Sequence, residues 1–342
     1  MPGQFTRTRQ QQIVNFQSGA LVISNQLGLG MLYRELALTL DGAITSGNTS
    51  NTYGTTTLLG GDEWKLISKI EIVVNGGDTI RSMTGEELYM WNAFIFNRPP
   101  RRPTLTTSSA SFDTTLILPF WDYRSISPVD SLLDSSKLSD LRVQVTWGTA
   151  DSMTSFTGNT FTTNPTLTIT SRESYGLKGR FSVNRQFRIT NPAAVTTQKG
   201  YQFLMPLGNI YKGFFINTKD LSGDDLANCI DRFQLVSGTN VFVDTNFKTI
   251  RDWQTMRKYQ INDVATNTTP TIQPLAISNK SLFDAWTYVD LIDDGYLTEA
   301  IDTYKLPELK ILLDVNQTIN TITIIPDQII PIRGATNKAG GK

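Results

Sequence analysis

Apolar and polar residues alternate over short stretches along the whole of this chain. In the first half the two-residue period runs through YRELALTL (Tyr33 to Leu40), KIEIVV (Lys69 to Val74), DTTLILPF (Asp113 to Phe120), DLRVQVTW (Asp140 to Trp147) and TLTITS (Thr166 to Ser171). In the second half it returns in KGFFIN, DRFQLV, NVFVDT, ELKILLDV and NTITIIP. That period is the mark of half-buried strands, and each half offers roughly six to eight of them, as a sandwich or barrel requires. Two stretches break the alternation with a helical spacing. TGEELYMWNAFIF (Thr84 to Phe96) opens on a threonine followed three residues later by Glu87, a capping box. FKTIRDWQTMRKY (Phe247 to Tyr259) sets Ile250, Trp253 and Met256 on one face. Two further segments, 127–138 and 283–306, read as partly helical. The expected class is all-β with short helical insertions.

The same pattern occurs twice in the same order. Leu133 to Thr146 lies over Ile301 to Asp314 without a gap, matching Asp134 with Asp302, Lys137 with Lys305, Leu138 with Leu306 and Leu141 with Leu309. Ser135 then falls on Thr303, Asp140 on Glu308, Arg142 on Lys310 and Val143 on Ile311. Upstream, Ile67, Ile70, Ile72, Val73 and Ile80 fall on Ile230, Phe233, Leu235, Val236 and Val243, and Trp91 falls near Trp253. Met31 to Thr39 lies over Asn209 to Asn217. Three colinear matches this far apart describe duplicated domains, since solenoid and propeller repeats recur every ~20 to 50 residues. The expected limits are 17–175 and 176–331, with a junction through Ser171 to Phe181. Long Ser/Thr/Asn-rich loops are expected at Asp41 to Thr57 and Thr149 to Pro165.

Charge adds a local asymmetry to a balanced total of 31 basic and 31 acidic residues. No acid occurs before Glu35, while Arg7 and Arg9 are basic, and only Arg333, Lys338 and Lys342 carry charge after Asp327. The ends, 1–16 and 332–342, are therefore expected to be flexible basic tails, either inert or in contact with phospholipid headgroups or nucleic acid. The chain has no histidine and one cysteine, Cys229. Histidine-dependent triads and histidine-ligated metal centres are thereby excluded. Cys229 beside a strand reads as a small buried hydrophobe, and without a disulfide framework the redox compartment stays open. No apolar stretch reaches the ~20 residues of a membrane-spanning helix. With no apolar signal core near its start, the chain is expected to stay in the cytosol of the cell that makes it.

Candidate chemistry is sparse. Adjacent acids at Asp62-Glu63, Glu86-Glu87, Asp224-Asp225 and Asp293-Asp294 diverge on a strand or helix and cannot converge on one glycosidic bond. GLGML (Gly28 to Leu32) and LGGDEW (Leu59 to Trp64) lack the strand-turn-helix context of a phosphate loop. NRPPRRP (Asn97 to Pro103) is the densest basic cluster. Its Arg98, Arg101 and Arg102 are either solvated on an extended linker or form intersubunit salt bridges. The six tryptophans are candidates for stacking on sugars or bases, but the matching positions of Trp91 and Trp253 favour packing.

Tandem β-domains of this size, helices inserted at corresponding points, long polar loops and no catalytic set resemble the double jelly-roll major capsid proteins of tailless icosahedral viruses, the adenovirus and tectivirus-like lineage that includes bacteriophages. The stretch LPFWDYRSISPVDSLLDSSKLSDLRVQVTWG (Leu118 to Gly148) resembles the end of a first jelly roll. The resemblance implies two tandem eight-stranded jelly-roll β-barrels, a homotrimer with a pseudo-hexagonal outline, and a place in the virion after assembly in the host cytoplasm. It implies as partners neighbouring capsomers, penton and minor capsid proteins, and an inner membrane or the genome met by the termini. It implies no enzyme activity and no cofactor. Two other readings stay open: a double jelly-roll protein that binds or cleaves carbohydrate, and a viral receptor-binding spike.

Overall fold

The computed structural model describes residues 5–45, 62–96, 100, 109–122, 131–153, 158–177, 182–257, 285–292 and 299–331. The chain forms two compact units, Met1–Phe187 with Ile330–Lys342, and Arg188–Ile329.

In the first unit the strands are β1 (Phe5–Asn15), β2 (Leu21–Ile23), β3 (Leu32–Thr45), β4 (Ile67–Val74), β5 (Asp78–Met83), β6 (Ser109–Pro119), β7 (Leu133–Asp134), β8 (Leu141–Trp147), β9 (Thr160–Tyr175) and β10 (Ser182–Gln186). One sheet has the order β1-β9-β3-β6, and the facing one runs β5-β4-β8-β2. First and last long strands are thus neighbours, as are second and second-to-last, which is the jelly-roll wrap. The alternation explains the layers: Leu36, Leu38 and Leu40 of β3 are fully buried, as are Ile72 of β4 and Val143 and Val145 of β8. Helix α1 (Gly85–Phe96) follows β5, and its capping box closes reciprocally. The Thr84 N–H donates to Glu87 Oε2 at 2.8 Å, and the Glu87 N–H donates to Thr84 Oγ1 at 3.1 Å.

The second unit repeats this wrap with β11 (Ile189–Thr190), β12 (Gln198–Leu204), β13 (Ile210–Lys219), β14 (Ile230–Ser237), β15 (Asn240–Asn246), β16 (Trp286–Asp290), β17 (Ile301–Asp302), β18 (Lys310–Val315) and β19 (Thr321–Pro331). Its sheets are β11-β19-β13-β16 and β12-β18-β14-β15. Helix α2 (Phe247–Arg257) follows β15 as α1 follows β5. The core gathers Phe214, Phe233, Leu235, Ile311, Leu313 and Ile324. Ile72 sits opposite Val143 in the first unit, and Leu235 sits opposite Ile311 in the second. These are the positions that the internal alignment equates, so the duplication holds at the level of strand register.

A smaller equivalence is closer still. Tyr33 donates from its hydroxyl to the Gly28 carbonyl at 2.7 Å, and Tyr211 donates to that of Pro206 at 2.5 Å. β7 pairs with the start of β3, and β17 with the start of β13. Ser135 Oγ accepts from the Met31 N–H at 3.0 Å and donates to the Met31 carbonyl at 2.6 Å. Thr303 Oγ1 treats Asn209 alike, at 3.0 and 2.7 Å.

Several sequence expectations are corrected. Residues 5–15, expected within a flexible arm, are strand β1. Each inward side chain there has a cross-strand partner, Phe5 stacking on Tyr175 at 4.8 Å. Asp41 to Thr45 and Thr160 to Pro165, expected in loops, extend β3 and β9. Within 283–306 the aromatic and β-branched run Trp286–Asp290 is a strand against β13 rather than helix. Of the 127–138 segment, 127–130 lie outside the described residues, and the rest holds strand β7 and a 3-10 turn at Ser135–Lys137. Strand β10, expected in the second unit, pairs with β5 of the first, and Arg81 anchors it by donating to the Asn184 carbonyl. Trp91 is buried as expected, but Trp253 is 51% exposed, while Ile250 on the same helix is buried. Cys229 is buried, and burial raises its thiol pKa.

Candidate functional site

The clearest polar constellation outside the barrel cores is built on β1 and β9. Antiparallel register sets Arg7 opposite Glu173 and Arg9 opposite Ser171. Glu173 is fully buried, and four side chains surround its carboxylate. Arg7 Nη2 donates to Oε2 at 3.0 Å and the Tyr175 hydroxyl to the same oxygen at 2.8 Å. Gln11 Nε2 and the Ser171 hydroxyl each donate to Oε1 at 2.7 Å. Gln11 reaches inward because a bulge between Gln10 and Gln12 turns it there. Burial alone raises the Glu173 carboxyl pKa; hydrogen bonds from Ser171, Tyr175 and Arg7, with the charge of Arg7, outweigh it and hold the group below its usual value. Burial followed by the Glu173 charge pushes Tyr33 up.

Arg7 is therefore committed to an ion pair within its own unit, and its guanidinium also lies over the Tyr175 ring at 5.1 Å. Arg9 is exposed on the same strand. Arg98, Arg101, Arg102, Arg333, Lys338 and Lys342 lie outside the described residues. Of the paired acids, Glu87 caps α1, and Asp225 accepts from Asn217 at 3.0 Å and from the Trp286 indole at 2.9 Å. Asp293 and Asp294 lie outside the described residues.

Composition and spacing did not point to a second feature. Ile13 of β1 and Leu21 and Ile23 of β2 are about half exposed, at 48, 53 and 48%. β1 and β2 are the end strands of the two sheets of the first unit. They are tied by the Asn25 N–H donating to Gln12 Oε1 at 2.8 Å. Together they present an apolar rim where a strand edge is unpaired among the described residues, a place that folded monomers usually guard with charge. The legible signal was GALVIS, an apolar run too short to span a membrane and set between polar neighbours.

Among the described residues no group of three or more His, Cys, Asp or Glu side chains is placed to hold a metal, and no helix is long and apolar enough to cross a membrane.

Two jelly rolls in one chain, each with a helix after its fifth strand, define a double jelly-roll protein. No protein-family model and no curated protein matches the sequence. Solved structures do match the fold. The STIV MCP superposes with a TM-score of 0.70 at 12% identity, covering 99% of this chain and 100% of that one. The major capsid protein of bacteriophage PM2 gives 0.62 at 11% identity over 97% and 99% of the two chains. The Faustovirus major capsid protein gives 0.58 at 8% identity over 96% and 90%.

Proposed function

We propose that this chain is a structural major capsid protein. Its copies trimerise into a pseudo-hexagonal capsomer that tiles an icosahedral virion shell. The observation that carries this reading is the duplicated jelly roll, shared nearly end to end with structures whose names identify them as capsid proteins. Two barrels per chain let a threefold ring present six similar units, so that a trimer of one kind of subunit fills a sixfold position in a sheet of tiles. The apolar rim of Ile13, Leu21 and Ile23 supports self-association, being the kind of surface that contact with a neighbouring copy removes from water. In this reading the partners are neighbouring capsomers, with penton and minor capsid proteins at the lattice defects. Arg98, Arg101 and Arg102 serve contacts between subunits. Arg9, Arg333, Lys338 and Lys342 face membrane or genome, whereas Arg7 is engaged by Glu173. The protein performs no chemistry and takes no cofactor.

Native mass measurement and electron microscopy of purified protein test this. Trimers that pack into hexagonal arrays or shells are the expected result. Monomers that stay discrete at every concentration and in the presence of the other virion proteins overturn it.

A further inference from the structure

The first unit carries a cleft of about 320 Å³. It opens between the turn after β1, the 3-10 turn Ala150–Met153 and the start of β9. Two lining residues are aromatic: Phe16 and Phe161 meet edge to face at 4.9 Å, and Phe16 also meets the buried Trp147 edge to face at 5.5 Å. The facing groups are polar, namely Asp151, Asn159, Asn164 and Thr160. Asp151 is fixed in place, because its Oδ1 accepts from the Asn159 N–H at 2.9 Å and from Asn159 Nδ2 at 2.8 Å. Asn159 is itself only 8% exposed, so the acceptor is held by a buried side chain. Among the described residues no lysine or arginine lines the cleft.

This combination selects a ligand class. Without a cation the cleft offers nothing to neutralise a phosphate or carboxylate. Aromatic walls with a fixed carboxylate and amides suit a ring that is apolar on its C–H faces and carries hydroxyls at its edge. The volume lies at the small end of ligand sites, which run from about 300 to 1,000 Å³. We propose that the cleft binds a neutral sugar, as a monosaccharide or the terminal residues of a glycan. Phe16 and Phe161 form the platform, and Asp151 and Asn164 take the hydroxyls. This site is independent of the capsid reading, since nothing in it requires a second copy.

Saturation-transfer NMR on the full chain tests it, with the methyl glycosides of glucose, galactose, mannose and N-acetylglucosamine offered one at a time and inorganic phosphate as the anionic probe. Transfer to at least one glycoside is expected, undiminished when phosphate is added as a competitor. Phe161→Leu keeps the apolar bulk but removes the ring. Asn164→Ala removes an exposed amide that does not hold Asp151. Each should weaken the glycoside about tenfold, as the loss of one good contact does, while thermal melting and particle assembly stay as in the parent. No transfer from any of the four glycosides overturns the proposal, as does transfer undiminished in both variants or competition by phosphate. Failure of assembly with sugar binding intact would strike only the capsid reading.

Discussion

Lys212 Nζ lies 3.2 Å from Asp327 Oδ1, and both side chains are almost wholly buried, at 2% and 1% exposure. Lys212 is inward because β13 bulges between Tyr211 and Gly213, and the Tyr288 hydroxyl donates to the other Asp327 oxygen at 3.2 Å. Removing one member of such a pair strands a charge, which costs about 3 to 5 kcal/mol, whereas replacing both with apolar residues is often neutral. Lys212→Met should therefore lower urea stability severely, and adding Asp327→Leu should restore most of it. A double variant as unstable as the single one would show that the pair is not the unit of stability.

The hydroxyls of Ser135 and Thr303 close the two units in the same way, each bonding both polar groups of one backbone residue. Ser135→Ala and Thr303→Val leave a buried N–H and carbonyl short of one partner, at about 1 to 3 kcal/mol each. The prediction is two losses of similar size, read by denaturant titration, that add in the combined variant because each acts within its own unit.

Glu173 gives the fold an acid sensitivity whose sign is fixed. Its carboxyl is held below the ordinary value in the folded chain, so its contribution is complete above the usual carboxylate range and disappears as pH falls through the folded value. Glu173→Gln should cost most near neutral pH, and the gap to the parent should close on acidification. Parallel stability curves for the two proteins from neutral to acid pH would contradict this.

Leu21 and Ile23 point away from the core, so charge there leaves the barrel intact. Leu21→Asp with Ile23→Asp should keep the circular dichroism and melting of the parent within about 0.5 kcal/mol, as exposed changes do. The same pair should abolish higher assembly in native mass spectra. Shells formed at the parent's yield would remove the rim from the interface.

The strands with clean alternation, such as Leu36-Leu38-Leu40, were legible because one face meets the core and the other meets water. So were the capping box of α1 and the pairing of the two halves, which rest on local spacing. β1 was not, because its inward positions carry Phe5, Arg7 and Gln11, polar or edge-exposed residues whose meaning depends on Glu173 more than a hundred and sixty residues away. Trp286–Asp290 was misread because its side chains are buried on both faces, which erases the two-residue period. The cleft was invisible for a similar reason: Phe16, Asp151 and Asn164 come together only through the wrap.

The two units hide different charges behind one strand order, and this matters while the chain is folding. Tandem copies of one topology can trade strands, a characteristic failure of repeated domains. β1 and β11 hold equivalent places, each against the last long strand of its unit. Only β1 brings an arginine and a glutamine to Glu173, and β11, Ile189–Thr190, brings neither. A strand from the wrong half would bury that acid without its partners. The mistaken pairing would then carry the cost of a buried, unpartnered acid that the native pairing does not.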